Sequence, residues 1–222
     1  MHAVGPRRSA RHDVRVVLPV RGIGRGKSRL AAALDAAERS RLNRLLLLNT
    51  LRVLDRWLGG LQRCVVVSPC PRTLRLAQRA GAVAQAQPRP CAGLNPAIAH
   101  AVGALVRAGR SRVLVLPCDL PLLSTAALTR FCSSSPAGVR MVIAPDRAGT
   151  GTNALLLLHA SARFAFSFGP DSFVLHKDAA RARGWAFHVC EAPELAFDLD
   201  TPRDLAAWGA AKRTAARITR VV

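Results

Sequence analysis

The stretch Val14–Leu30, VRVVLPVRGIGRGKSRL, decides the fold. Its first part, Val14–Val20, is a short apolar run rich in β-branched residues, which predicts a buried first strand. A glycine-rich basic loop, Arg21–Ser28, follows the strand, and the segment Leu34–Leu58 then shows helical periodicity. A strand, a glycine-rich loop and a helix in this order are typical of an α/β domain that holds phosphate groups.

The loop matches neither of the two familiar phosphate-binding motifs. The Walker A pattern G-x-x-x-x-G-K-[ST] needs a glycine where this chain has Arg21, although Gly26, Lys27 and Ser28 supply its end. The dinucleotide pattern G-x-G-x-x-G would end on Lys27 or Arg29 instead of a glycine. Glycines still let backbone N–H groups approach an anion, and the basic side chains add positive charge. The alternative is a solvated basic loop.

Apolar strands alternate with helices along the rest of the chain. This alternation predicts an α/β fold, a three-layer sandwich with a mostly parallel sheet, in which ligands bind at the carboxyl ends of the strands. Four polar segments follow predicted strands and should meet at that edge: Arg21–Ser28, Ser68–Pro71, Cys118–Pro121 and Asp146–Asn153. We expect one domain over residues 13–208, a disordered basic arm over residues 1–12 and a basic tail over residues 209–222.

Asp119 directly follows the strongest predicted strand, Arg112–Pro117, and is framed by two prolines. A carboxylate fixed at the end of a strand suits Mg²⁺, which takes one or two carboxylates together with phosphate oxygens and water. The alternative is that Asp119 caps the next helix, although Ser124 is better placed to do so. We therefore favour the metal site.

Asp198 and Asp200 are two residues apart in FDLD, so in an extended segment they point to the same side. Together they could complete a metal site with Asp119. The alternative is helix capping, because Asp200 or Thr201 could be the N-cap of a helix with Pro202 at its first position.

Two further segments could bind a carboxylate or a phosphate. Asp146–Asn153, DRAGTGTN, alternates glycines and threonines whose N–H and hydroxyl groups can contact an anion. Phe168–Phe173, FGPDSF, begins a helix with free N–H groups. A plain turn and a simple helix cap are the respective alternatives.

Composition limits the other classes of function. The net charge of +20 invites a nucleic-acid partner, but the basic residues are nearly all arginine spread along the chain, and with no tyrosine there are few stacking platforms. An acidic small molecule such as a nucleotide fits as well. The six cysteines form no C-x-x-C pair, which argues against zinc and against a disulfide framework. We see no signal peptide and no membrane span, so we expect a cytoplasmic protein.

Taken in order, seven segments resemble one family closely: VVLPVRGIGRGKSRL, VVVSPCP, GLNPAIAHA, VLVLPCDLPLL, VIAPDRAGTGTNALLL, FGPDSF and AFDLDTPRDL. They are similar to the CofC-type guanylyltransferases of coenzyme F-420 biosynthesis, from about Val14 to Trp208. The last three segments are the most specific. The resemblance implies a fold similar to the nucleotide-diphospho-sugar transferases. It also implies transfer of GMP from GTP to 2-phospho-L-lactate, phosphoenolpyruvate or 3-phospho-D-glycerate, with release of pyrophosphate.

The resemblance also implies roles for individual residues. Asp119, Asp198 and Asp200 would hold Mg²⁺, and Lys27, Arg29 and Asp119 would be catalytic. The nucleotide would lie against Pro19, Val20, Arg21, Gly22, Lys27, Ser68, Gly93 and Asn95. The three-carbon phospho-acid would be held by Thr152, Asn153, Gly169 and Ser172.

Two other functions stay open from the sequence. The first is a nucleotidyltransferase with another acceptor, such as the molybdenum-cofactor type. The second is a basic nucleic-acid-binding protein without catalysis, which the composition disfavours. The expected partners are GTP and the phospho-acid, with no membrane, and the sequence leaves open whether the chain forms a homodimer.

Overall fold

The computed structural model describes residues 13–88 and 93–218, so the predicted arm over residues 1–12 and the last four residues of the predicted tail lie outside it. The strands are β1 (Arg15–Pro19), β2 (Cys64–Ser68), β3 (Val83–Ala86), β4 (Val113–Val115), β5 (Met141–Pro145), β6 (Thr152–Leu157) and β7 (Phe187–Val189). The helices are α1 (Ala36–Leu58), α2 (Pro71–Arg79), α3 (Leu94–Arg107), α4 (Thr125–Ser133), α5 (Ser172–Arg181), α6 (Pro193–Ala196) and α7 (Pro202–Ile218). Short 3₁₀ turns lie at Ser28–Ala32 and Leu61–Arg63.

All seven strands form one sheet in the order β3-β2-β1-β4-β6-β5-β7. Neighbouring strands are parallel except at β6, which runs antiparallel to both β4 and β5. The central strands are buried along their length, as valine-rich strands covered by helices on both faces must be. The predicted α/β fold with a mostly parallel sheet is confirmed.

Two apolar layers cover the sheet. One contains Leu47, Ala77, Leu128 and Leu195, which belong to α1, α2, α4 and α6. The other contains side chains of α3 and α5, such as Ile98 and Ala180. The prediction from sequence missed the short helix α6, and α7 continues past Trp208 into the predicted tail. Among the described residues, no helix has the length and apolar character needed to cross a membrane.

His176 of α5 is the one histidine that is fully buried in the described part of the chain. Its ring lies between those of Phe164 and Phe168, at centroid distances of 6.2 and 4.7 Å. Burial lowers the pKa of His176 to about 4, and a hydrogen bond with the backbone of Ser172 offsets this only in part. The imidazole is therefore neutral at physiological pH.

Leu114 lies at the centre of β4 and is fully buried, so shortening it should leave a cavity beneath the helices of one layer. We expect Leu114→Ala to lower the free energy of unfolding by about 2–5 kcal/mol. The matched control is Leu45→Ala, since Leu45 of α1 is 47% exposed, and its change should be about 0.5 kcal/mol or less. Chemical denaturation measures both changes, and similar losses would contradict the placement of the core.

His176 should make stability depend on pH. Its pKa is about 4 in the folded chain against 6.5 ordinarily, so the unfolded chain binds the proton more tightly. The stability that the neutral ring contributes is complete above pH 6.5 and is lost as the pH falls toward 4. Between pH 7 and 5, the free energy of unfolding should fall by about 2 kcal/mol more in the wild type than in His176→Phe.

Denaturant titrations at both pH values measure this difference. The control is His159→Gln, because His159 is an exposed histidine outside the core. If the wild type and His176→Phe lose the same stability on acidification, the claim that His176 is buried in its neutral form is wrong.

Candidate active site

The loop Arg21–Ser28 leaves the carboxyl end of β1 and is held in place by two helices. Asn43 of α1 donates its side-chain amide to the carbonyl oxygens of Ile23 and Arg25, both at 3.2 Å. The N–H of Ile23 donates to the Thr73 hydroxyl of α2 at 3.1 Å. The loop is therefore an ordered part of the domain, and phosphate binding by it stays a prediction.

Two backbone positions shape this loop. Gly22 has φ +137°, and a Cβ there would lie 3.1 Å from the Cβ of Cys70, so a side chain would be both strained and crowded. Lys27 adopts a left-handed conformation with φ 55°, and its side chain is only 7% exposed. Arg21 and Arg29 are exposed, so their guanidinium groups are accessible to an anionic ligand.

Lys27 joins two of the predicted metal-binding carboxylates. Its ammonium group donates to Asp119 Oδ2 at 3.2 Å and to Asp200 Oδ1 at 2.8 Å. Burial lowers the pKa of the Lys27 ammonium, but the charges and hydrogen bonds of the two carboxylates outweigh it and raise this pKa overall. The ammonium group therefore stays charged, and the two carboxylates share one cation at the edge of the sheet.

The backbone brings the two carboxylate segments together. The N–H of Leu199 donates to the carbonyl oxygen of Asp119 at 3.1 Å, so the FDLD segment lies alongside the end of β4. The Thr50 hydroxyl of α1 reaches the carbonyl of Cys118 at 3.3 Å. Burial, followed by the charge of Asp119, raises the pKa of the Cys118 thiol to about 12, which makes it a packing group.

Helix α7 is capped by Thr201. The Thr201 hydroxyl accepts from the N–H of Asp204 at 3.3 Å, and the Asp204 carboxylate accepts from the N–H of Thr201 at 2.8 Å. This reciprocal pair leaves the side chain of Asp200 available to Lys27. Of the two predicted capping residues, Thr201 is the cap, and Ser124 likewise caps α4 by accepting from a backbone N–H at 3.1 Å.

Asp198 completes the acidic group. Burial, and then the negative charges of Asp119 and Asp200, raise the pKa of Asp198 to about 6. Three carboxylates are thus close enough to perturb one another. Within residues 13–88 and 93–218, however, no three His, Cys, Asp or Glu side chains are arranged to hold a metal ion together, and the cation between Asp119 and Asp200 is Lys27. Metal binding by this group remains a prediction.

A β-bulge in β6 separates two adjacent residues that were predicted to bind the acceptor. Ala144 pairs with Ala154 but Pro145 pairs with Thr152, so Asn153 is the extra residue. The Asn153 amide donates to the carbonyls of Leu195 at 2.9 Å and of the next residue at 3.3 Å, and so anchors α6. The Thr152 hydroxyl instead lies 3.0 Å from the Nδ1 atom of His176 on α5.

The start of α5 forms the rest of the predicted acceptor site. The N–H of Ser172 donates to the carbonyl of Gly169 at 3.3 Å, and the next N–H, of Phe173, donates to the carbonyl of Thr150 at 3.0 Å. Ser172 is buried and Gly169 is exposed, with φ +133°. These contacts join the start of α5 to the loop before β6, so Thr152, Gly169 and Ser172 lie in one region.

Asn95, predicted to contact the nucleotide, clamps the loop before Gly169 through two bonds. It donates to the carbonyl of Phe168 at 3.1 Å and accepts from the N–H of Phe168 at 2.7 Å. Gly93 is the N-cap residue of α3 and adjoins residues 89–92, which lie outside the described part.

The other predicted nucleotide contacts end two neighbouring strands. Pro19 ends β1, and the next residue, Val20, donates its N–H to the carbonyl of Val67 at 2.8 Å. Ser68 ends β2 and is almost fully buried, and its hydroxyl accepts from the N–H of Cys70 at 3.1 Å. These positions lie at the same edge of the sheet as Lys27.

Sequence reasoning missed several residues that position the site, among them Asn43, Thr73, Arg147, His176 and Asp204. Arg147 pairs with Asp204 and lies over the ring of Phe197, at 5.0 Å from its centroid, so it links the loop before β6 to the FDLD segment. The only sequence signal was the spacing of Thr201 and Asp204, which suits a capping pair.

Comparisons with known proteins identify the family of this chain. The family described as "Guanylyl transferase CofC like" matches residues 14–210. A phosphoenolpyruvate guanylyltransferase from Rubrobacter xylanophilus is 42% identical over 194 residues, which cover 87% of this chain and 92% of the relative. A 3-phospho-D-glycerate guanylyltransferase from Phenylobacterium zucineum is 39% identical over 194 residues, covering 85% of this chain and 86% of the relative.

Solved structures support the fold alone. A structure described as a nucleotide-diphospho-sugar transferase from Desulfovibrio desulfuricans G20 has a TM-score of 0.67 at 17% identity, over 87% of this chain and 85% of that one. A nucleotidyl transferase from Methanothermobacter thermautotroptrophicus has a TM-score of 0.59 at 16% identity, over 87% of this chain and 94% of that one.

The predicted family is confirmed, and the chain belongs to the CofC-like guanylyl transferases, which are nucleotidyltransferases.

Proposed function

We propose that the chain transfers GMP from GTP to the phosphate of a three-carbon phospho-acid and releases pyrophosphate, as a step in coenzyme F-420 biosynthesis. The observation that carries this proposal is the meeting of Lys27, Asp119 and Asp200 at the carboxyl edge of the sheet. The relatives quoted above are named guanylyltransferases, which supports transfer of a guanylyl group. Their names point to phosphoenolpyruvate or 3-phospho-D-glycerate as the acceptor. The third predicted acceptor, 2-phospho-L-lactate, belongs in the same test.

The proposed reaction needs no general base. The second pKa of a phosphate monoester is about 6, so the acceptor phosphate is largely ionised at neutral pH. One of its oxygens attacks the α-phosphorus of GTP, the bond from that phosphorus to the bridging oxygen breaks, and the electron pair leaves with pyrophosphate. The protein has to align two anions and neutralise the charge on the leaving group.

Lys27, Arg21 and Arg29 suit the triphosphate. The loop that carries them is fixed by Asn43 and Thr73, so their backbone positions are set before any ligand arrives. The guanidinium groups of Arg21 and Arg29 can make paired hydrogen bonds to phosphate oxygens, whereas Lys27 acts as a compact charge. The electrostatic attraction that aligns the triphosphate would come from these three side chains.

The acidic group fits Mg²⁺, because carboxylate oxygens are hard ligands and one or two of them suffice when phosphate oxygens and water complete the coordination. Asp119 and Asp200 already converge on one cationic group, and Asp198 lies near enough to raise the local negative charge. Asp119, Asp200 and Asp198 would hold the ion. When bound, it would supply charge neutralisation at the phosphate oxygens.

For the acceptor, we propose that its carboxylate lies against Thr152, Ser172 and the backbone at Gly169. The start of α5 offers the positive end of a helix dipole, which favours an anion, while its N–H groups at Ser172 and Phe173 already donate to the carbonyls of Gly169 and Thr150. Asn153 and Asn95, whose amides hold Leu195 and Phe168, would act by fixing the walls of the site.

Replacing either shared carboxylate should stop turnover. We expect Asp119→Asn and Asp200→Asn each to lower kcat by about 100-fold or more, because the site loses charge while its shape is retained. The assay measures pyrophosphate released from GTP and Mg²⁺ with each of the three phospho-acids. Circular dichroism should show that the variants stay folded.

The matched control is Asp178→Asn, since Asp178 is exposed and forms its ion pair with Arg181, one helical turn away. It should leave kcat unchanged. If wild-type protein releases no pyrophosphate with any of the three acids, the proposed function is wrong. A parallel panel of other nucleoside triphosphates separates a guanylyl transfer from a different nucleotidyl transfer.

A further inference from the structure

We propose that His176 is a positioning residue that fixes the Thr152 hydroxyl as a hydrogen-bond donor toward the carboxylate of the acceptor. This inference rests on the proposed function, because it takes Thr152 as a contact of the acceptor. It assigns to His176 a role in acceptor binding and none in the chemical step.

The tautomer of His176 follows from its partners. The Nε2 atom lies 3.0 Å from the backbone nitrogen of Ser167, and a backbone N–H can only donate. The Nε2 atom therefore accepts this bond and carries no proton. A neutral imidazole has a single N–H, so the proton is on the Nδ1 atom. That atom lies 3.0 Å from Thr152 Oγ1, so its proton faces this oxygen as well as the backbone of Ser172, with which the ring also forms a hydrogen bond.

The direction of this bond decides what Thr152 can offer. Because the Oγ1 atom accepts from His176, its own proton cannot return to the ring and has to be donated elsewhere. In the described part of the chain, His176 is the only hydrogen-bond partner of the Thr152 hydroxyl. A carboxylate can only accept, so a hydroxyl with its proton free is complementary to it. In the other tautomer, the unprotonated Nδ1 atom would accept the proton of the Thr152 hydroxyl. Only the lone pairs of Oγ1 would then face the anion.

Packing holds the ring in this arrangement. His176 is fully buried, and the rings of Phe164 and Phe168 lie against it. The β-bulge at Asn153 turns the Thr152 side chain toward α5, where His176 meets it. His176 is fixed on a helix and Thr152 on a strand. Together they can hold the hydroxyl donor in the precise position that recognition of a small acid requires.

The tautomer can be measured without any enzymatic assay. In ¹⁵N-histidine-labelled wild-type protein, the Nδ1 atom of His176 should show a shift of the protonated, pyrrole type and the Nε2 atom a shift of the unprotonated, pyridine type. The His176→Asn variant identifies the signals. A protonated Nε2 atom would overturn the proposal, whatever the enzyme proves to transfer.

The functional test is a double-mutant cycle of Thr152→Val and His176→Phe, using the acceptor that gives turnover with wild-type protein. Each single change should raise the KM for the acceptor by about tenfold or more, since a hydrogen bond to a charged group is lost. The KM for GTP should stay within about twofold. In the Thr152→Val background, His176→Phe should raise the acceptor KM no further, because the hydroxyl through which it acts is absent.

A conservative variant guards against misfolding of His176→Phe. His176→Asn keeps an N–H near the position of the Nδ1 atom, so its acceptor KM should lie closer to wild type than that of His176→Phe. If His176→Phe weakens GTP and acceptor equally, or acts as strongly in the Thr152→Val background, its role is only structural and the proposal is overturned. If Thr152→Val leaves the acceptor KM unchanged, the inference fails while the guanylyl transfer stands.

Discussion

The ammonium group of Lys27 is the charge on which the rest of the site depends. It lies between Asp119 and Asp200, which are 92 and 173 residues away in the sequence. Without a cation at this position, the carboxylates at this edge would repel one another, and burial together with the charges of Asp119 and Asp200 already raises the pKa of Asp198. Lys27 lies in a loop that hydrogen bonds tie to α1 and α2, so its ammonium group reaches the carboxylates from the predicted nucleotide side of the edge. A single side chain thus joins the predicted triphosphate region to the predicted metal region.

The backbone supplies the rigidity that charge alone cannot. Asp119 and Leu199 are joined by a main-chain hydrogen bond, which brings together two segments that belong to different parts of the sheet. Asn153 and Asn95 each use a side-chain amide to bind the main chain of a neighbouring segment. An amide serves this purpose well because it offers both a donor and an acceptor and carries no charge that burial would penalise. Uncharged amide side chains therefore hold the segments that surround Lys27 and its two carboxylates.

The sequence predicted the edge of the sheet well because a strand and the loop after it are local features. Lys27 and Asp119 each follow an apolar strand, and parallel strands bring such ends together, whereas the backbone bond between Leu199 and Asp119 places Asp200. What could not be predicted depends on contacts between distant segments. Strict alternation along β6 would place Thr152 on the same face as Ala154, and only the bulge turns it toward α5. Likewise, nothing local distinguishes His176 from a surface histidine, because its burial comes from Phe164 and Phe168.

The two halves of the proposed site use different chemistry for two anions of different charge. The triphosphate side presents the ammonium group of Lys27 and the exposed guanidinium groups of Arg21 and Arg29, whose full charges match a highly charged ligand. The side chains predicted to contact the acceptor are instead uncharged, with the hydroxyls of Thr152 and Ser172 and a neutral, buried imidazole behind Thr152. Cations on the acceptor side would attract any phosphate, including the triphosphate itself, whereas neutral donors of fixed direction distinguish a small carboxylate by its geometry. The large net charge would draw anions to the protein, and the neutral donors of the acceptor side would select among them.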